Sequence, residues 1–164
     1  TVDRIPGIKL YDASQWRLHT GFTGAAAPIT SNLEEVDAPA GFGVLGSSVS
    51  ESSGIFTLPT TGYWLIDFHS NTNSSGNVFY RNIRIFTTTD NSTYAEAANG
   101  YSCVAIGTTG TFYMGADARC IFDVTDTSQC KVQFQVQVSG ATVTTVGDSA
   151  YNQTYMTFLR LADT

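Results

Sequence analysis

From Lys131 to Ser139 the chain alternates strictly between apolar and polar side chains. Successive side chains of a strand point to opposite faces of its sheet, whereas apolar positions of a helix recur every three to four residues. The stretch therefore predicts a strand that buries one face and leaves the other wet or paired. The face predicted to be buried carries Val132, Phe134, Val136 and Val138.

A second alternating stretch begins at Gly62 and places Trp64, Ile66 and Phe68 on one face. Its opposite face carries Tyr63 and Leu65 as well as Asp67 and His69, so we expect partial cover there too. Further runs rich in Val, Ile, Phe, Tyr and Thr, separated by turn residues, predict more short strands. These runs are Ile8–Tyr11, Trp16–His19, Gly54–Leu58, Val78–Thr88, Ser102–Ile106, Phe112–Val124, Ala141–Val146 and Thr154–Leu161.

Helix signals are sparse. Leu33–Val36 and Tyr94–Ala98 each predict at most one helical turn, and Asn71–Asn77 predicts a turn between strands. Many short strands in 164 residues predict one all-β domain, an antiparallel β-sandwich of the jelly-roll kind. The Gly- and Ala-rich stretch from Thr20 to Pro28 predicts an extended arm or loop.

Charge and composition exclude several classes of function. Eight basic residues are scattered among 14 acidic ones, for a net charge of −6, which disfavours nucleic-acid binding. No apolar run approaches the ~20 residues of a membrane span. The chain opens at Thr1 without a basic and apolar leader, so we expect a complete gene product folded in a cytoplasm. Three cysteines fit reduced thiols, although Cys120 and Cys130 could pair across neighbouring strands.

Catalytic and metal-binding patterns are weak. His19 and His69 stand outside any recognisable nucleophile motif, and the cysteines lack zinc-ligand spacing. Asp123 and Asp126 could help to hold calcium, but aspartates in turns more often bond the backbone. We expect no catalytic residue, no cofactor and no metal. Several tyrosines could form a sugar platform or simply pack across strands; they are Tyr63, Tyr80, Tyr94, Tyr101, Tyr113 and Tyr151.

Two separated segments resemble the superfamily of tumour-necrosis-factor-like and complement-q globular domains. The first runs from Gly54 to Phe68, where an aromatic residue, Pro59 and Gly62 lead into a strand with alternating aromatics. The second runs from Tyr155 to Leu161 and resembles the last strand of that fold. The stretch from Ile121 to Phe134 resembles the strand–turn–strand between them. The resemblance covers residues 54–161 and implies a jelly-roll core over 54–164, preceded by an N-terminal arm and first strands over 1–53.

The resemblance also implies a homotrimer packed through inner-sheet faces. The residues expected at that interface alternate with core positions on two strands, where a second apolar face indicates a partner. They are Tyr63, Leu65, Asp67, Tyr155 and Leu159. Two departures from the family pattern bear on the trimer packing: Thr157 stands where glycine is usual, and Asp126–Ser128 replaces a Gly-Asp turn.

Phe122–Thr127 and Asn152–Leu161 resemble phrases of bacteriophage structural proteins with this fold. They favour a capsid decoration protein, with the major capsid protein as its partner and the virion surface as its location. The N-terminal segment would grip the shell through Trp16, Phe22 and Phe42, or it could instead add further strands to the same sandwich. The alternatives are a receptor- or glycan-binding tip of a phage tail or head fibre, for which a preceding stalk is expected, and a secreted lectin-like or signalling ligand.

Overall fold

Twelve β-strands make up the regular structure in the computed structural model, which describes residues 12–75, 78–103, 110–139 and 143–164. Within these ranges there is no helix, and so nothing helical that is long and apolar enough to cross a membrane. In chain order the strands are β1 Ala13–Leu18, β2 Phe22–Thr23, β3 Leu33–Glu35, β4 Ser50–Ser52, β5 Ile55–Thr57, β6 Gly62–Ser74, β7 Arg81–Thr88, β8 Ala95–Ser102, β9 Phe112–Val124, β10 Lys131–Val138, β11 Val143–Thr145 and β12 Thr154–Ala162.

The strands form two antiparallel sheets packed face to face. In the first sheet, which we call sheet A, β6 pairs with β9 along one edge and with β12 and then β11 along the other. β12 continues to β1 and β3, and β11 continues to β2. The second sheet, sheet B, has the order β4-β5-β10-β7-β8. This is the predicted antiparallel β-sandwich.

The core lies between the two sheets and is rich in aromatic rings. Phe134 of β10 contacts Phe56, Phe68 and Phe158 with ring centroids 5.0–5.9 Å apart. Trp64 of β6 is fully buried and donates a hydrogen bond from Nε1 to the carbonyl of Thr60. The predicted inward positions of β6 and β10 are confirmed, because both strands place their apolar sets in this one cluster.

Several local predictions were wrong. Leu33–Glu35 and Ala95–Ser102 are strands rather than helical turns, since the first pairs with β1 and the second with β7. The turn expected over 71–77 begins later, because β6 continues through Ser74 against β9 and β11. The expected strand at Ile8–Tyr11 and the end of the one at Ser102–Ile106 lie outside the described residues.

For the segment ahead of Gly54 the sequence left two possibilities, an arm or further strands of the sandwich, and the described residues there include strands β1–β4. Residues 12–53 do not form a free arm, because β1 lies between β12 and β3 within sheet A. The Gly- and Ala-rich stretch crosses between the sheets: Gly24 donates its backbone N–H to Val143 of sheet A, and Ala26 exchanges two backbone bonds with Val136 of sheet B. Residues 12–53 thus complete the sandwich, and of this N-terminal segment residues 1–11 lie outside the described part.

Candidate assembly surface

Sheet A turns one face to the core and the other, its outer face, away from it. Five aligned positions cross this outer face as one row. Leu65 of β6 lies opposite Leu159 of β12 on one side and Ile121 of β9 on the other. Ala13 continues from Leu159, and Leu45 continues from Ala13 through two backbone hydrogen bonds of 2.8 and 2.9 Å. We call this set the apolar row: Ile121, Leu65, Leu159, Ala13 and Leu45.

The two ends of the apolar row are exposed and its middle is half-buried. Ile121 is 65% exposed and Leu45 is 51% exposed. Phe42 and Val44, in the loop between β3 and β4, add further exposed apolar surface beside Leu45. A cavity of about 200 Å³ lies between Gly43 of this loop and strands β1 and β12. The outer face therefore offers apolar surface at both ends and a recess between them.

A polar row follows the apolar row toward the other end of the sheet. Arg119 of β9 pairs with Asp67 of β6, and hydrogen bonding with this carboxylate raises the pKa of the Arg119 guanidinium. On the far side of β12, Gln15 donates from Nε2 to Oγ1 of Thr157 over 2.9 Å. Thr157, where the related fold usually has glycine, is thus accommodated in the face by a hydrogen bond to β1.

The next row is centred on His69 of β6, which lies opposite Tyr155 of β12 and Asp117 of β9. His69 pairs through Nδ1 with Oδ1 of Asp117 at 2.6 Å and through Nε2 with Oδ1 of Asn71 at 3.2 Å. The Tyr155 ring lies beside His69, with centroids 5.1 Å apart and planes inclined at 32°. Burial raises the pKa of Tyr155, and the nearby Asp67 and Asp117 raise it further. The phenol stays neutral at physiological pH, so this row can be covered by a partner without burying a phenolate.

The predicted interface residues lie on one continuous face. Tyr63, Leu65 and Asp67 follow one another on β6, with Tyr155 and Leu159 on the adjacent β12. The sequence missed Ile121 and Leu45, which extend the same row on β9 and beyond β1. Ile121 could have been found from the sequence, since it alternates in a constant phase with the buried positions Ala116, Ala118 and Val124 of β9. Leu45 had no such signal, because its place depends on pairing with Ala13.

The three residues predicted to contact the capsid lie in two different environments. Trp16 packs on the core, with its ring 5.7 Å from that of Phe56 and its Nε1 donating to the carbonyl of Val49. Phe22 also packs against the core cluster. Both side chains are partly buried, because they pack against the core cluster. Phe42 is exposed in the loop beside the apolar row.

The residues considered for chemistry occupy bonded positions. His19 bonds Thr20 through Nδ1, and His69 has an acid and an amide on its two ring nitrogens. Asp126 accepts bonds from the backbone and hydroxyl of Ser128, which lower its pKa. The described ranges contain no group of three or more side chains that could hold a metal ion. All three cysteines are free, including Cys120 and Cys130.

Comparison with known structures identifies the architecture. Eiger TNF from S. frugiperda superposes with a TM-score of 0.68 at 9% sequence identity, over 95% of this chain and 96% of that one. Murine APRIL at pH 5.0 gives a TM-score of 0.62 at 9% identity, over 92% of this chain and 98% of the other. The fold is a TNF-like jelly roll. No family model and no curated protein matches the sequence.

The TNF-like match also bears on the N-terminal segment. Because it covers 95% of the chain, it cannot be confined to residues 54–164, and most of the segment ahead of Gly54 lies inside it. This agrees with the position of β1 in sheet A, between β12 and β3. The TNF-like jelly roll of this chain therefore begins well before the segment that resembles the family in sequence.

Proposed function

We propose that this chain is a non-enzymatic structural protein of a bacteriophage particle, a homotrimer that decorates the head and stabilises it. The single observation that carries the self-association is the apolar row on the outer face of sheet A. Large apolar side chains on a sheet face turned away from the core are stabilised when a partner covers them. The resemblance to the TNF-like superfamily implies that the partner is a second and third copy of the chain.

A ring of three copies brings two different surfaces of the chain into contact at each interface, so both must be complementary. The apolar row supplies two such surfaces at its opposite ends. We place Leu65, Tyr155 and Leu159 nearest the threefold axis. Ile121 of one protomer then contacts the exposed apolar surface that Phe42 and Leu45 form on the next protomer.

The virion assignment rests on the likeness of Phe122–Thr127 and Asn152–Leu161 to phage structural proteins, together with the lack of catalytic motifs. A decoration protein needs a self-associating scaffold and surface left over for the shell. The proposed partner in the particle is the major capsid protein, the location is the capsid surface, and folding takes place in the host cytoplasm.

Cysteine cross-linking tests the ring directly. Ile121 and Leu45 are separated by four strand spacings of ~4.8 Å, so a disulfide within one protomer cannot form. We design the pair Ile121→Cys and Leu45→Cys in a background of Cys103→Ser, Cys120→Ala and Cys130→Ala. Mild oxidation should give a ladder on a denaturing gel that ends at the trimer. The two single variants, which cannot close a ring, serve as matched controls.

A ladder that ends at the dimer would show a twofold contact, and monomer alone would show that the apolar row is not the interface. The location in the particle is tested separately by electron microscopy of intact virions. Trimeric density on the head shell is the expected result, and density at the end of a fibre would contradict the decoration role.

A further inference from the structure

One end of the sandwich carries almost no charge. At this end β6, β8 and β10 finish, and β7, β9 and β11 begin. Residues 97–116 and 132–147 contain no Asp, Glu, Lys or Arg, and neither do residues 68–80. Among the described residues of 68–81, 97–116 and 132–147, Arg81 is the one Asp, Glu, Lys or Arg side chain, and it is fully buried against Ser70.

The same end is rich in exposed aromatic rings. Tyr113 is 79% exposed on β9, and Tyr101 is 64% exposed on β8. Phe79 and Tyr80, just before β7, are exposed as well. Aromatic side chains in an all-β protein are usually buried by packing across strands. Four exposed rings at one end therefore indicate a surface that binds a ligand or a partner.

Polar side chains stand in register beside the most exposed of these rings. On the outer face of sheet A, Tyr113 lies opposite Asn73, Asn73 lies opposite Thr144, and Thr144 lies opposite Thr23. The hydroxyls of Thr23 and Thr144 are 3.1 Å apart. We call this set the tyrosine row: Tyr113, Asn73, Thr144 and Thr23. It combines one aromatic face with an amide and two hydroxyls on a single surface.

A cavity of about 230 Å³ adjoins the tyrosine row, with Tyr113 as one wall and the amides of Asn71 and Gln153 as others. Asn71 donates from Nδ2 to Oε1 of Gln153 over 2.9 Å, which holds both amides in place. Gly115 also lines the cavity, and a Cβ added there would make ordinary van der Waals contact with Oδ1 of Asn71 at 3.5 Å. The ring is thus flanked by hydrogen-bonding groups on two sides.

We propose that the tyrosine row and the adjoining cavity bind an uncharged glycan. A sugar ring presents C–H groups that pack on an aromatic face and hydroxyls that bond amides and threonines, which is the chemistry assembled here. An anionic glycan is excluded as the ligand, because its carboxylates or sulfates need Arg or Lys and none is exposed at this end of the described structure. This function goes beyond capsid decoration and does not depend on it.

Affinity electrophoresis tests the proposal with defined probes. The bacterially expressed full chain is run in native gels that contain dextran, mannan or galactomannan, with alginate as the acidic comparison. We expect retardation in at least one neutral polymer and none in alginate. Tyr113→Ser should weaken the apparent affinity about tenfold, the size of one aromatic contact. Asn73→Ala should weaken it in the same direction. Tyr151→Ser, which removes a tyrosine that is 52% exposed and does not line the cavity, is the matched control and should leave the retardation unchanged.

Several outcomes would overturn the glycan site. Migration unaffected by every neutral polymer would do so, as would retardation that Tyr113→Ser and Asn73→Ala leave unchanged. Light scattering of the same variants separates this proposal from the assembly surface. A Tyr113→Ser protein that no longer forms the wild-type oligomer would place the row in the self-association interface. A variant that keeps its retardation but no longer coats heads would make the row a capsid contact. Failure of the Ile121→Cys and Leu45→Cys pair to cross-link, combined with loss of retardation in Tyr113→Ser, would support the glycan site and contradict the proposed trimer.

Discussion

Leu65 lies directly opposite Leu159 across β6 and β12, and both side chains point away from the core that their neighbours Ile66 and Phe158 fill. A leucine pair at the centre of an outward face stabilises a solitary domain little, because neither side chain is removed from water by the other sheet. It becomes stabilising when a second copy covers it. The first prediction addresses the centre of this face.

Tyr155→Asp should convert the oligomer to monomers. The change places a carboxylate beside Asp67 and Asp117, and in the assembled state it would bring three such charges into a dry region, where the penalty per ion is several kcal/mol. Light scattering should give a mass near 17.6 kDa for the variant and three times that mass for the wild type. Tyr155→Phe keeps the ring against His69 and should remain trimeric. A stable wild-type monomer at micromolar concentration would end the claim.

Phe42→Ser should leave the jelly roll folded. Its side chain is exposed, so the unfolding free energy should change by no more than about 0.5 kcal/mol. The exposed apolar surface of Phe42 and Leu45 should then bind its partner less well. The average mass of the protein in solution at low micromolar concentration, or the fraction of capsid sites that it occupies, should fall. Tyr151→Ser serves as the comparison. Unchanged assembly and unchanged coating together would remove Phe42 from both proposed contacts.

Trp16→Ala should destabilise the fold itself. Its ring contacts Phe56 and its Nε1 bonds the carbonyl of Val49, so truncation leaves a cavity and an unpaired carbonyl. We expect a loss of about 3–5 kcal/mol in urea unfolding. Deletion of residues 1–23 should give insoluble protein for the same reason, since it removes β1 from sheet A. A soluble, folded deletion variant that fails to coat heads would restore the arm interpretation.

Cys120 should react slowly with thiol reagents. Burial raises the pKa of its thiol to about 11 from the usual 9.0, so its thiolate fraction at pH 8 is roughly 100-fold lower than that of an unperturbed thiol. In Cys103→Ser/Cys130→Ala the remaining Cys120 should be labelled far more slowly than the exposed Cys103 is in Cys120→Ala/Cys130→Ala. Equal labelling rates would contradict the burial.

The raised pKa of the Cys120 thiol also makes the unfolding free energy depend on pH. The folded pKa of Cys120 lies above its unfolded value, so the contribution of this thiol is fully present below pH 9 and is lost as pH rises toward 11. The unfolding free energies of wild type and Cys120→Ala, measured in urea, should therefore differ more at pH 8 than at pH 10.5. A difference between the two proteins that does not depend on pH would contradict this linkage.

Local pattern was enough for the long central strands. The alternation at Lys131–Ser139 and from Gly62 predicted β10, β6 and their buried faces, because a strand that buries one face must alternate with period two. It also placed five outward residues of β6 and β12 on one surface. The resemblance at Gly54–Phe68 and Tyr155–Leu161 indicated the TNF-like jelly roll that the comparison with solved structures shows.

Tertiary structure alone decided the rest. Strand β1 overlaps the strand predicted at Trp16–His19, but β2–β4 are two or three residues long, too short to carry a period, and they form by pairing with neighbouring strands. That is why residues 12–53 read as an arm and fold as part of the sandwich. The apolar row joins residues as distant as Leu45 and Leu159, and the tyrosine row joins Thr23 to Tyr113. Sequence alone sets which way a side chain faces along a strand, whereas the register between strands sets which side chains share a surface.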